Sequence, residues 1–401
     1  MDEILRGVAI AAAVATPAAA QTAAEALAEL RTGQHYEAGA GVLQDPAQAA
    51  AWYRRAAEHG NAEAQISLAT LYHQGRGLPR DDAQAFQWYQ RAAAQNMPAA
   101  QTSLGLMHAN GWGTLQDDAQ AVALYRQAAA QDFPDAMQAL GNAAYTGRGL
   151  NQDFAEAAAW WRRAADRGYA PAQNSLGRLY QEGNGVPRDA EAAADCFRRA
   201  ADQGFAEAQS SLGLAYRNGT GVPQDRRQAL DWLQRAAAQD HLPAIHLVGT
   251  VYEEGLDGSP DYQAAAKWYR RAAEAGSARG QASLAGLYDD GLGVPQDKAE
   301  AVKLLRQAAA QDLPAAQTSL GAHLLHGEGT SANPGEALRW LLRAANQEDG
   351  LAQLLAGILL LNGAATLPDR PEALRWLRRA ATSEDPDARS EAGDLLIKLG
   401  D

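Results

Sequence analysis

The sequence predicts an all-α fold: an α-solenoid of about ten 36-residue helix-turn-helix repeats. Three observations predict it. Glutamines recur on a 36-residue clock, at Gln65, Gln101, Gln173, Gln209, Gln281, Gln317 and Gln353, and Met137 and Ile245 fill the two remaining slots in register. Glycines keep the same period in two columns, one running from Gly39, Gly75 and Gly111 to Gly363, the other from Gly41, Gly77 and Gly113 to Gly329. The apolar fraction, 47% of the chain, is dominated by alanine, a strong helix former that fills little volume and suits closely packed helices.

The first element, residues 1–20, reads as a secretory signal. Gly7 to Val14 form an apolar stretch, and Ala18-Ala19-Ala20 before Gln21 fit a small-residue cleavage site. Asp2 and Glu3 run against the basic start of such a leader, and the alternative is an alanine-rich helix. The solenoid covers residues 23–381. Residues 23–59 open it as a degenerate repeat that keeps Ala28, Gly33 and Tyr36 in register.

In the next repeat, helix A is expected over Ala62–Gln74, with Leu68, Leu71 and Tyr72 on one face. Gly75-Arg76-Gly77 ends it, because glycine takes positive φ without a Cβ penalty, and Pro79 keeps it ended. Asp81 then N-caps helix B, with Gln84 completing a capping box. The pair recurs as Asp45/Gln48, Asp117/Gln120, Asp153/Glu156, Asp225/Gln228, Asp297/Glu300 and Asp369/Glu372. Periodicity makes these aspartates caps rather than catalytic acids.

Helix B runs to about Gln95, and its Ala85 slot is alanine in every repeat, which marks close helix–helix approach. The slot after helix B holds Gly60, Asn96, Asp132, Gly168, Gly204, Asp240, Gly276 or Asp312, residues that tolerate the left-handed conformation and so permit a very short turn. Residues 385–401 are expected as a capping helix, with an added polar face of Arg389, Glu391, Asp394 and Lys398.

Composition excludes several classes. A formal net charge of -13 argues against nucleic acid and anionic membranes as partners. After the N-terminus no apolar run reaches about 18 residues, so no membrane insertion is expected. A single cysteine, Cys196, permits no internal disulfide, and its place in the tryptophan column (Trp52, Trp88, Trp160) makes it a small buried hydrophobe. The Gly-x-Gly turns are no phosphate loop, because no strand precedes them and no lysine follows as that loop requires.

The pattern AxAQxxLGxxYxxGxGVxxDxxxAxxWxxxAA resembles the Sel-1-like repeat, a relative of the tetratricopeptide repeat. Ala206 to Ala237, AEAQSSLGLAYRNGTGVPQDRRQALDWLQRAA, carries the resemblance most fully. It implies a right-handed solenoid with helix A lining the concave face. It also implies a non-catalytic adaptor that assembles or regulates other proteins, often exported in bacteria. Some cysteine-rich relatives carry a penicillin-binding or β-lactamase label. No serine here has lysine three residues on, Ser67 leading to Thr70 and Ser103 to Leu106, and no Lys-Thr-Gly occurs.

His323 and His326 with Glu328 have the look of a metal cluster, but His326 falls in a polar column (Gln74, Asn110, Glu182), and no metal is expected. His323 itself stands oddly in a column of Leu71, Met107, Leu179 and Leu287.

Columns that build the solenoid stay constant, whereas columns free to face a ligand can differ. Three helix A columns vary freely at i, i+4 and i+7. Their central members are Asn174, Arg178 and Gln181; Ser210, Leu214 and Arg217; His246, Thr250 and Glu253. This stripe is the expected partner-binding face, the alternative being that its variability reflects solvent exposure alone. Trp112, the only tryptophan in a turn slot, and Tyr145, one residue out of register beside Ala144, are the expected interface anchors. The expected protein is a scaffold that binds a protein or an extended peptide, periplasmic or secreted, with no cofactor. The alternatives are a penicillin-binding or β-lactamase-like enzyme, and a cytoplasmic scaffold if residues 1–20 are no signal.

Overall fold

The computed structural model describes residues 17–363 and 367–400, with backbone alone for 17–20. Among the described residues there are 21 helices and no strand. The expected signal lies outside the described residues, apart from 17–20, which open the first helix. The chain divides into two compact units, Met1–Arg199 and Ala200–Asp401.

In the first unit, helices A and B alternate: α1 (Pro17–Ala38), α2 (Pro46–Glu58), α3 (Ala62–Gln74), α4 (Asp82–Ala94), α5 (Pro98–Asn110), α6 (Asp118–Ala129), α7 (Pro134–Thr146), α8 (Phe154–Ala165), α9 (Ala170–Glu182) and α10 (Ala190–Ala201). The second holds α11 (Ala206–Asn218), α12 (Arg226–Ala237), α13 (Leu242–Glu254), α14 (Tyr262–Glu274), α15 (Ala278–Asp290), α16 (Lys298–Ala310), α17 (Pro314–His326), α18 (Pro334–Asn346), α19 (Gly350–Asn362), α20 (Arg370–Ala380) and the final α21 (Pro386–Leu399). From α1 to α9, and from α11 to α21, each helix packs on its chain neighbours, as a solenoid requires. The solenoid is thus built as the repeat period predicts, and α3 has the bounds read from sequence. The polar residues Arg389, Glu391, Asp394 and Lys398 of α21 are all exposed.

The two turn glycines have different duties. Gly111 caps α5 in the left-handed conformation at φ 68°. Gly113 has φ 66°, and a Cβ there would stand 2.1 Å from the Asp82 carbonyl oxygen of the preceding repeat. The second glycine is therefore a contact between repeats, which its φ alone does not reveal. The short turns after helix B are also as expected: Asn96, Asp132, Asp240 and Asp312 take φ of 62°, 60°, 57° and 65°. Glu348 joins them at 69°.

The capping box forms only halfway. Asp81 accepts from the Gln84 amide at 3.0 Å, but its own N–H donates to the Tyr72 carbonyl at 3.0 Å rather than to the Gln84 side chain. The same backbone bond joins Asp45 to Tyr36, Asp117 to His108, Asp225 to Tyr216 and Asp297 to Tyr288. It returns helix B onto helix A within each repeat and satisfies a donor that the glutamine would otherwise serve. The alanine columns are closed: Ala49, Ala85, Ala157, Ala229 and Ala265 are wholly buried. Outside them, arginines stack on the tryptophan three residues earlier, Arg91 on Trp88 at 4.3 Å and Arg235 on Trp232 at 4.4 Å.

The glutamine column is a hydrogen-bonded ladder. Gln65, Gln101, Gln209, Gln281 and Gln317 are all buried. Gln65, Gln209 and Gln317 donate Nε2 to the carbonyls of Ala57, Ala201 and Ala309 at the end of the preceding helix B, at 3.1, 3.3 and 3.2 Å. Each Oε1 accepts from a second glutamine thirty residues on: Gln95 to Gln65, Gln131 to Gln101, Gln239 to Gln209 and Gln311 to Gln281, all at 2.9 Å. One buried carboxamide thus binds the helix before it and the helix after it. The last rung is broken, because Ser383 stands where the second glutamine should, and the buried Oε1 of Gln353 has no partner.

Candidate functional site

The open part of the variable stripe lies in the first unit, at a regular glycine–aromatic contact and one register break, Tyr145. Gly141 on α7 lacks the Cβ that would stand 2.2 Å from Trp161 Nε1, so the indole of α8 slides against helix A. There Trp161 Nε1 donates to the Gln138 carbonyl at 3.3 Å. Ala144 fills the usual tyrosine slot and is fully buried. The aromatic ring shifts to Tyr145, whose centroid lies 5.6 Å from Trp161 and 5.2 Å from Phe154.

A cavity of about 260 Å³ opens over this pair, between α7 and α9, lined by Asn142, Tyr145, Trp161, Ser175, Arg178 and Glu182 among others. A second, of about 230 Å³, adjoins it between α5 and α7 over the apolar Ala121, Val122 and Tyr125 of α6, with Arg148 at its edge. The two share Asn142 and Thr146 of α7 as a common wall. Their floor is aromatic and apolar, and their rim polar. Burial pushes the Tyr125 hydroxyl up to about 12. Tyr145 donates to Glu182 at 3.4 Å, and Arg178 pairs with Glu182 at 3.7 Å. Rings over an apolar floor bind apolar or aromatic side chains, and the Arg178–Glu182 pair offers one charge of each sign to a backbone or side chain laid across it.

The other expected residues divide. Trp112 lines neither cavity: its ring lies 4.7 Å from His73, which bonds Asp82 at 2.7 Å, and it covers the apolar cluster of the second repeat. Gln181 is exposed, and Asn174 is half-buried with its Oδ1 unpartnered.

In the second unit the stripe residues bond to side chains outside the stripe. Arg217 Nε donates to both oxygens of Glu254 at 3.1 Å, which holds that carboxyl below its ordinary range. Tyr269 donates to Glu253 and lies 3.5 Å from Thr250 Oγ1. His246 stacks on Tyr269 at 5.3 Å and bonds Ser283 at 3.1 Å. Burial, with Arg279 and Arg217 nearby, pushes His246 down to about 4, so it is neutral at pH 7. Leu214 is half-buried and Ser210 is buried, so neither presents a free side chain. Together, Arg217, His246 and Glu253 make contacts both within a repeat and to the next one.

The nucleophile reading finds no support at Cys196. It is buried, and burial together with Asp195 pushes its thiol up to about 11, away from the reactive thiolate.

Comparison with known families gives a match to the Sel1 repeat over ten consecutive segments, from 26–61 and 62–97 to 314–349 and 350–385. The chain belongs to the Sel1 repeat family. Among solved structures it is similar to c5321, a protective antigen present in uropathogenic Escherichia coli strains and displaying an SLR fold. The identity is 32%, the match covers 95% of this chain and 90% of that one, and the TM-score is 0.57. It is also similar to a Sel1 repeat protein from Oxalobacter formigenes, with 29% identity, coverage of 82% and 92%, and a TM-score of 0.57. The search of curated proteins gives no match. Sel1 repeat proteins typically serve as protein-interaction scaffolds, and the fold is generally non-enzymatic. No helix among the described residues is long and apolar enough to cross a membrane.

Proposed function

We propose that this Sel1 repeat protein is a non-catalytic scaffold that binds a partner protein, through an extended peptide segment, at the two cavities that flank α7. One observation supports the reading: beside the register break at Tyr145, cavities open over an aromatic and apolar floor on both sides of α7, with Arg178 and Glu182 at the rim. The test is binding to a partner captured from native extracts. Tyr145→Ala weakens it by about tenfold or more, whereas Trp112→Ala leaves it nearly unchanged, with helicity by circular dichroism intact in both. Unchanged affinity in the Tyr145 variant rejects this site.

The scaffold is exported to the periplasm or beyond. The apolar stretch and alanine triplet of residues 1–20 support this, as does the similarity to a protective antigen. Mass spectrometry of the mature chain finds a new N-terminus near Gln21; an intact Met1 or Asp2 places the scaffold in the cytoplasm instead.

A further inference from the structure

We propose that Asp289, His323 and Glu328 bind a divalent transition-metal ion of the zinc class. The three come from two adjacent repeats: Asp289 from the last turn of α15, His323 from the last turn of α17, and Glu328 from the turn that follows it. One ligand-type atom from each lies within 4.8 Å of the others. This is not the set that spacing within one helix suggests, since exposed His326 has no part in it.

The burial of His323 points to a missing partner. His323 is 8% exposed, in a slot that other repeats give to Leu71, Leu179, Leu287 and Leu359, and its Nε2 faces Asp289 Oδ2. Asp289 Oδ1 is buried without a hydrogen bond. A polar ring in an aliphatic slot lowers stability unless something binds it.

The geometry favours a metal over a simple ion pair. His323 Nε2 and Asp289 Oδ2 are 3.5 Å apart, too long for a good hydrogen bond. Metal–ligand bonds near 2.1 Å in a tetrahedron hold their donor atoms about 3.4 Å apart. One imidazole and two carboxylates suit zinc, and water completes the shell. The chain supplies its own competitor: Lys298 Nζ, on a partly exposed side chain at the start of α16, lies 2.6 Å from Glu328 and 3.9 Å from Asp289 Oδ1. A metal enters as this ammonium swings out to solvent, and the bound ion then ties α15 to α17.

The test uses the full chain without a polyhistidine tag, stripped with chelator and titrated with zinc chloride by calorimetry and thermal melting. The wild type takes up zinc with Kd about 10 µM or tighter and a raised Tm. His323→Leu restores the residue of the neighbouring repeats, so it keeps the fold, yet it loses the Tm rise and about a hundredfold in affinity. Lys298→Met binds zinc about tenfold more tightly, because the competing charge is gone. Calcium leaves Tm unchanged, since it takes oxygen ligands only. The proposal is overturned if the wild type binds no zinc, if His323→Leu binds as the wild type does, if Lys298→Met gains nothing, or if calcium reproduces the Tm rise.

Discussion

Gly113→Ala lowers stability by about 3–5 kcal/mol, whereas Gly60→Ala costs only about 1–2 kcal/mol, although both glycines have left-handed backbone. The shared part is the conformational penalty of a Cβ at positive φ, and at Gly60, φ 88°, nothing else lies within 4 Å. At Gly113 the new Cβ meets backbone at 2.1 Å from the Asp82 oxygen, 2.4 Å from its carbon and 2.7 Å from Ala83 N. These atoms belong to the N-terminal turn of α4 and cannot rotate aside as a flexible side chain would. Relief requires the two repeats to part, which forfeits nearest-neighbour burial in an array whose stability is a sum of such interfaces. Urea unfolding followed by circular dichroism measures the difference. Equal losses in the two variants mean that the turn glycines serve φ alone.

That contrast marks what could be read from sequence. Helix bounds, N-cap aspartates and left-handed slots all depend on residues within one repeat, and they were legible because each has a local chemical signature, such as a glycine at positive φ or an aspartate on an amide, whose recurrence gives the period. What escaped depends on offsets between repeats. The duty of Gly113 lies in Asp82, and the charge of Arg217 is used by Glu254, 37 positions on. Tyr145 was legible as a register break, but its seat on Trp161 needs the indole that Gly141 admits. His323 stood out as polar in an aliphatic column, while its counterpart Asp289 sits 34 positions earlier, where reading one helix at a time does not look. Trp112 and Tyr145 looked alike because both break register, yet they cover different apolar clusters.

Gln317→Met costs about 2 kcal/mol, and adding Gln347→Arg recovers about half of that loss. Gln317 is wholly buried, donates to the Ala309 carbonyl and to Asp312 Oδ1, and accepts from Gln347 at 3.2 Å. Methionine fills the volume but leaves these groups unserved. The chain already holds the repaired version five repeats earlier: Met137 is fully buried, and the ladder slot thirty residues on is Arg167, which pairs with Asp132. Asp312 stands in the Asp132 column and is already paired with Arg343, as Asp132 is with Arg163, so an arginine at 347 meets a prepared partner. Ile245 follows the same rule with Ala275: where the first glutamine goes, the second goes with it. Ser383 breaks the rule by leaving Gln353 Oε1 unpartnered beside a polar cavity of about 480 Å³, lined by Arg379, Glu384 and Asp385 among others. Ser383→Gln therefore adds about 1 kcal/mol by giving Gln353 Oε1 its donor. Chemical unfolding of the wild type, Gln317→Met, Gln347→Arg, their double variant and Ser383→Gln decides it. If the double variant is no better than the sum of its single changes, and Ser383→Gln does nothing, the glutamines are fillers and the ladder carries no load.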